Sequence, residues 1–346
     1  LLKDGLKDDN TEAQEYALWS LSSIYDTASK EALVNAGGIK LVLQALLGGK
    51  LTPEAQEHGA AVLSGLAPIG TNARAIKDAQ GIATLVMLLS KGNVEAKEHA
   101  AVTLAQIATK AEAALEIAQS GAVSAFVQWL ANPALGPPGV AARALSEIAH
   151  DNSDTQTQIA EEGAIPLLVA MLGARQSGGN GPPTSTPSDP SGSPSGSPTP
   201  GSSGLTHREM KSRSPSTHRL ASSHSAATIK LSTVAAGALA TLAKDHVVNQ
   251  IMITEENGIP PLIELLKRPG SSHARAHESA TKALWHLAVN ADNRTAIARA
   301  GGVAPLVMLL TSESEATQYH TAAAVQSLAN EHTENQHALA KAGAIV

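Results

Sequence analysis

The 346-residue chain contains no cysteine, which excludes a disulfide framework and any thiolate metal site. Aromatic residues make up only 2% of it, although 43% is hydrophobic, so small and aliphatic side chains must build the core. There is no surplus of positive charge. The formal net charge is −6 and the pI about 6.1, whereas neutralising phosphates requires a basic surface, so nucleic acid is excluded as a default partner. The 13 histidines would add charge only below about pH 6.5. No apolar run reaches the roughly 18 residues needed to span a bilayer, so direct membrane insertion is not expected. Runs alternating with period two are missing as well, which argues against strands and βαβ units.

What the chain does have is a phrase repeated at a nearly constant interval. Gly or Ala, then Ile or Val, then an aliphatic run occurs at Gly38-Ile39, Gly81-Ile82, Ala122-Val123, Ala164-Ile165, Gly258-Ile259, Gly302-Val303 and Ala344-Ile345. The Ile/Val anchors are spaced by 43, 41, 42, 94, 44 and 42 residues. A period of about 42 is the length of a three-helix unit, and such units stack into a solenoid. The long step exceeds the period by about 52 residues, so one unit carries an insertion.

Residues 72–110 serve as the specimen. Asn72–Gln80 is expected to form a short helix with Asn72 as its N-cap. Gly81 breaks it at a corner suited to a residue without Cβ. Ile82–Ser90 is apolar nearly all round and so a buried second helix. After the turn at Lys91-Gly92-Asn93, Val94–Thr109 is a longer third helix with Ala101, Leu104, Ile107 and Ala108 on one side. Pro166, Pro260 and Pro305 fall in the first turn of other second helices, where a missing N–H costs nothing. The third helices align on Leu21, Leu63, Leu104, Leu145, Leu239, Leu284 and Val325, a second count that repeats the period.

These third-helix segments, from Ala55, Ala96 and Ala141, resemble armadillo repeats, as do the joints Glu162–Pro166 and Asn257–Pro261. HEAT-like helix pairs fit less well, because a small residue marks the first corner in every copy. The resemblance implies an all-α, right-handed α-solenoid of three-helix repeats covering everything except one long disordered insertion. The expected organisation is repeats over 1–172, an insertion over 173–225, and repeats again over 226–346. Leu1 is not an initiator, Leu1–Gly5 reads as the end of a middle helix, and Val346 stops just inside another repeat, so the chain reads as a piece of a longer protein.

Gln176–Gly204 is almost entirely Ser, Gly, Pro and Thr, followed by a mildly basic stretch with Arg208, Lys211, Arg213 and Arg219. Such a composition buries too little apolar surface to offset its ordering entropy and is expected to be disordered. As a flexible coil of about 53 residues it would reach on the order of 40 Å. Ser193, Ser197, Thr199 and Ser214, each followed by Pro, have the form that proline-directed kinases recognise. Phosphorylation would reverse the local charge of an arm that competes for the binding face. A tolerated surface insertion is the plainer reading, because lengthening a loop costs little entropy.

Stacked third helices line the inner groove of an armadillo superhelix, where repeat proteins bind extended partners. Positions three and four apart share a helix face. Along the stack they read Tyr16/Trp19/Ser23, His58/Ala61/Gly65, His99/Val102/Gln106 and Val140/Arg143/Glu147. Beyond the insertion they read Val234/Gly237/Thr241, Ser279/Lys282/His286 and His320/Ala323/Ser327. From these, the candidate partner-binding residues are Tyr16, Trp19, His58, His99, Gln106, Arg143, Glu147, Lys282, His286 and His320.

Nuclear-import adaptors of the importin-alpha kind carry Trp and Asn at the second and third positions of successive repeats. Here only Trp19 stands at the Trp position, no repeat has the Asn, Trp285 is one turn out of register and Trp129 lies on a second helix. Nor is there the dense basic ladder of a beta-catenin-like groove. His58, His99 and His320 are equivalent positions, but neighbouring helices lie about 8–10 Å apart, too far for ligands that must converge on one zinc at about 2 Å. No metal or cofactor is expected.

Enzyme motifs fail residue by residue. Gly48-Gly49-Lys50 lacks the phosphate loop and its hydroxyl, His277-Glu278 is not followed by a second His, and Gly192–Gly196 puts Pro where a nucleophile belongs. His150-Asp151 reads as a helix cap with dipole compensation. Asn293-Arg294-Thr295 fits a glycosylation acceptor but falls in an expected helix. The expected function is a non-catalytic scaffold that binds an extended or helical segment of a protein or peptide partner, not a small-molecule substrate. The expected compartment is the cytoplasm, with the nucleus also open. The alternatives are the substrate-recognition region of a larger ubiquitin ligase, a nuclear-import-type adaptor, or a scaffold tethered to a membrane by a lipidated N-terminus.

Overall fold

A computed structural model describes residues 5–6, 10–110, 113–173 and 216–344. Among them there is no strand, only helices in a repeating order. A leading helix, α1 (Thr11–Ser22), is followed by triplets. The first comprises α2 (Thr27–Asn35), α3 (Gly38–Leu47) and α4 (Pro53–Leu66), and the second α5 (Asn72–Asp78), α6 (Gly81–Lys91) and α7 (Val94–Lys110). Next come α8 (Ala114–Gln119), α9 (Ala122–Ala131) and α10 (Pro138–Ile148), then α11 (Ser153–Glu161), α12 (Ala164–Gly173) and α13 (Ser216–Ala243). The last complete triplets are α14 (Val247–Glu255), α15 (Ile259–Leu266), α16 (Ala274–Leu287) and α17 (Ala291–Arg299), α18 (Val303–Leu309), α19 (Glu315–Ala329), before α20 (Thr333–Lys341). The fold is all-α, as the period implies.

Each third helix packs on the next, in the order α1, α4, α7, α10, α13, α16, α19, and the second helices form a parallel row behind them. The aligned leucines of the third helices are buried from Leu21 to Leu284, while Val325 in α19 is only partly so. One turn further on, Leu66, Ile107, Ile148, Leu242, Leu287 and Leu328 are buried too. Burying such side chains stabilises by about 1.5–3 kcal/mol each, so the stack is held repeat to repeat by one continuous apolar seam.

The corner between first and second helices divides its work between two residues. At α6 the left-handed residue is Gln80 (φ 62°), not Gly81. Gly81 starts the helix, and a Cβ there would stand 2.5 Å from the Ile76 side chain and 2.6 Å from its carbonyl oxygen. The small residue of the repeated phrase is therefore required by close approach rather than by a positive φ.

Asn72 does not cap α5; Thr71 precedes the helix, and Asn72 itself is buried. Its amide donates to the carbonyl of Leu66 at 3.1 Å. Asn249, Asn293 and Asn335 in α14, α17 and α20 do the same for Leu242, Leu287 and Leu328, at 2.9, 3.2 and 3.0 Å. Helix ends leave their last carbonyls without intrahelical partners, and these amides fill that need at the ends of α4, α13, α16 and α19. Asn293, with 2% of its surface exposed, is thus part of the core and presents no acceptor for a glycan.

Residues 174–215, within which Ser193, Ser197, Thr199 and Ser214 fall, lie outside the described residues. From Ser216 the chain is helical, ten residues before Ala226. Pro215 precedes that helix and no Pro or Gly interrupts it until Gly237, which favours a single long element. Across this joint the stack is unbroken. Ser146 and Thr241 hydroxyls lie 2.9 Å apart, Gln156 donates to the Thr241 carbonyl at 2.8 Å, and Asp151 pairs with Lys244. Asp151 therefore ties two repeats rather than capping a helix; Asn152 caps α11, its side chain accepting from Thr155 N–H. The Lys244 ammonium holds the Asp151 carboxyl below its ordinary pKa.

Candidate functional site: the third-helix face

The third helices present one side to the core and the other to solvent, and the candidate residues divide accordingly. Tyr16 and Trp19, one turn apart on α1, are 64% and 58% exposed. Arg143 on α10 is exposed, whereas His58, His99, Gln106, Glu147, Lys282 and His320 are half-buried. His58 shares a hydrogen bond with the Ser22 hydroxyl through Nδ1 at 3.1 Å, joining α4 to α1. His320 Nδ1 donates to the carbonyl of Ala316 at 2.7 Å.

His286 does not belong to the exposed face. It is only 5% exposed, lies within α16 and has a buried Nε2 with no hydrogen-bond partner. Burial lowers its pKa to about 4, so it is neutral and turned away from any partner. Its ring stacks on Trp285 at 4.6 Å. Trp285 in turn meets Tyr319 edge-on at 5.9 Å and His320 at 5.9 Å, an aromatic group between α16 and α19 that the repeat register does not reveal. Trp129 is buried in α9.

Trp19 and His58 stand between two clefts. One, of about 480 Å³, also takes in Tyr25, Lys30 and His99. The other, also about 480 Å³, is edged by Glu12, Glu15, Tyr16 and Glu54. A third cleft, of about 450 Å³, lies between α10, α13 and α16, with Arg143 and Arg275 on either side of Gly237. Arg275, Tyr25 and the glutamates are missing from the sequence-based candidates. Glu12, Glu54 and Arg275 were within reach of the same alignment, one turn before Tyr16, His58 and Ser279. Among the described residues no helix is long and apolar enough to cross a membrane.

A stack of helical triplets with an open face along one row of helices defines a helical-repeat protein of the solenoid class. Residues 246–289 and 290–330 each match the armadillo/beta-catenin-like repeat family, so this part of the chain carries two armadillo repeats. An engineered protein solved by a structural genomics consortium aligns with 99% of this chain and 71% of its own, at TM-score 0.75 and 27% identity. A designed armadillo repeat protein aligns with 84% of this chain and 99% of its own, at TM-score 0.62 and 20% identity. Another, solved in complex with the peptide (KR)4, has the same coverages at TM-score 0.59 and 19% identity; both share the fold. Comparison with curated proteins gives no match.

Proposed function

We propose that the third-helix face binds an extended or helical segment of a partner protein, and that the chain acts as a scaffold without catalysing a reaction. The observation that carries this reading is the pair Tyr16 and Trp19, largely exposed on a chain with so few aromatics and set beside two clefts. Rings of this kind supply the concentrated apolar area that interface hot spots favour. The designed armadillo repeat protein of the same fold, in complex with (KR)4, supports a peptide as the class of ligand. His58, His99, Gln106, Arg143, Glu147, Lys282 and His320 would extend the contact along the row, each repeat adding a little.

The test is selection of random displayed peptides on the intact chain, followed by affinity measurement with variants. Tyr16→Ala with Trp19→Ala should weaken the selected peptides at least tenfold, about 1.4 kcal/mol. Val247→Ser with Val248→Ser, which removes exposed apolar side chains from a first helix, should leave them unchanged. Equal losses in both double variants, or no peptide selected at all, would sink the proposal.

A further inference from the structure

The face changes sign along its length. Four residues before the position held by Tyr16, His58, His99, Val140, Val234, Ser279 and His320 stand Glu12, Glu54, Glu95, Gly136, Lys230, Arg275 and Ala316, all on the third helices except Gly136, which lies in the turn before α10. Three residues after that position they carry Trp19, Ala61, Val102, Arg143, Gly237, Lys282 and Ala323. Carboxylates thus occupy the first three helices, and cations the fourth to sixth. Glu12, Glu54, Glu95, Arg143, Lys230 and Arg275 are all exposed, and Lys282 is half-buried. Glu12, Glu54, Glu95, Arg143 and Arg275 form no ion pair among the described residues.

Glu15, Glu57 and Glu98, next to the same positions, add half-buried carboxylates to the acidic half. Two of these are held in place: Glu15 accepts from Thr52 N–H at 2.8 Å and Glu57 from the Asn93 amide at 3.0 Å. The opposing charges are few. Lys97 and Lys110 lie in the acidic half, where Lys110 donates to the carbonyl of Pro68, and Lys30 edges the cleft behind Trp19. Glu147 and Glu278 lie in the basic half.

Clefts mark both halves. That between α1 and α4 joins Glu12, Glu15 and Glu54 to Tyr16 and Trp19, a setting in which aromatic faces and carboxylates attract the same cationic side chain. That around Gly237 sets Arg143 and Arg275 beside the hydroxyls of Ser146, Thr233 and Ser279, with Glu278 as its one carboxylate. Guanidinium groups with hydroxyls nearby suit carboxylate or phosphate.

Resting on the peptide-binding reading above, we propose that the partner segment is bipolar. A block of Lys or Arg lies in the cleft of Tyr16 and Trp19, and a block of Asp, Glu or phosphorylated residues lies between Arg143 and Arg275. The clefts are three to four repeats apart, about 30 Å at a helix spacing of 8–10 Å. An extended chain covers that in about ten residues. The charge order makes the groove one-way, since a segment laid in reverse meets like charges at both ends.

Fluorescence anisotropy with labelled peptides tests this on the intact chain. The set comprises a Lys/Arg block and an Asp/Glu block ten residues apart in both chain directions, a scrambled peptide of the same composition, and all-basic and all-acidic peptides. One bipolar peptide should bind at least tenfold tighter than the scrambled one and than either single-sign peptide. Glu12→Lys with Glu54→Lys, or Arg143→Glu with Arg275→Glu, should each abolish that preference. All four changes together should move it to the bipolar peptide of opposite direction, a gain that a damaged fold cannot imitate.

Equal binding of bipolar and scrambled peptides, or a single-sign peptide that binds as tightly, would overturn the inference. If no charged peptide binds while random selection still yields ligands dependent on Tyr16 and Trp19, the charge order is refuted and the groove reading stands. If selection fails as well, both fall.

Discussion

His286 carries a consequence for stability that its position in the sequence does not suggest. In the folded chain its pKa is lowered to about 4 by burial, with the nearby Lys282 adding to the effect, while an unfolded chain protonates it near 6.5. His277, buried with Nε2–H donating to the Arg268 carbonyl, is shifted in the same direction by burial. Below pH 6.5 the unfolded state takes up these protons first, so stability is full above that pH and falls progressively towards pH 4. For His286 alone the loss is on the order of 2 kcal/mol once solvent screening is allowed for. Thermal unfolding at pH 7.5 and 4.5 should therefore differ less for His286→Leu than for the unaltered chain; an identical difference would refute the assignment. The Asn72 side chain suits a helix cap by type, yet it does not cap α5. A cap and a buried bridge use the same amide, and only the proximity of the Leu66 carbonyl decides between them.

At the scale of the element, the helices were legible because apolar spacing, Pro in first turns and a small residue at each corner all point the same way. The specimen repeat illustrates this, with helices over 72–78, 81–91 and 94–110 against expected spans of 72–80, 82–90 and 94–109. What the corner needs is a different matter. Gly81→Val would drive a side chain into Ile76 and its carbonyl, and should cost about 1–3 kcal/mol by overpacking, measured by denaturant unfolding. Gln80→Gly, at the left-handed position, should be neutral or stabilising, since Gly adopts φ 62° without strain. A Gly81→Val variant as stable as the parent would show that the corner tolerates a Cβ.

At the scale of the whole molecule, contacts between α10, α12, α13 and α16 join the repeats on either side of residues 174–215. We therefore expect deletion of 176–214, closed by a short flexible linker, to leave the cooperative thermal transition within a few degrees of the parent. A split into two transitions would show that the halves depend on the removed stretch.

The candidate face was only half legible. Tyr16, Trp19 and Arg143 followed from register, because the third helices keep one residue count per turn and so keep one side outward. His286 did not follow, because the aromatic group of Trp285, Tyr319 and His320 gathers between α16 and α19 through side-chain directions that spacing cannot supply. The amino-acid order alone determined the period, the helical triplets and the small corner residues, since each depends on neighbours within a few turns of chain. Which histidine is neutral and hidden, which asparagine also reaches the preceding repeat, as Asn293 does the Gln250 carbonyl at 3.3 Å, and where opposite charges face one groove depend on residues about 40 positions apart. Only packing in three dimensions brings those together, because burial and hydrogen-bond partners are set by what lies across the interface rather than along the chain.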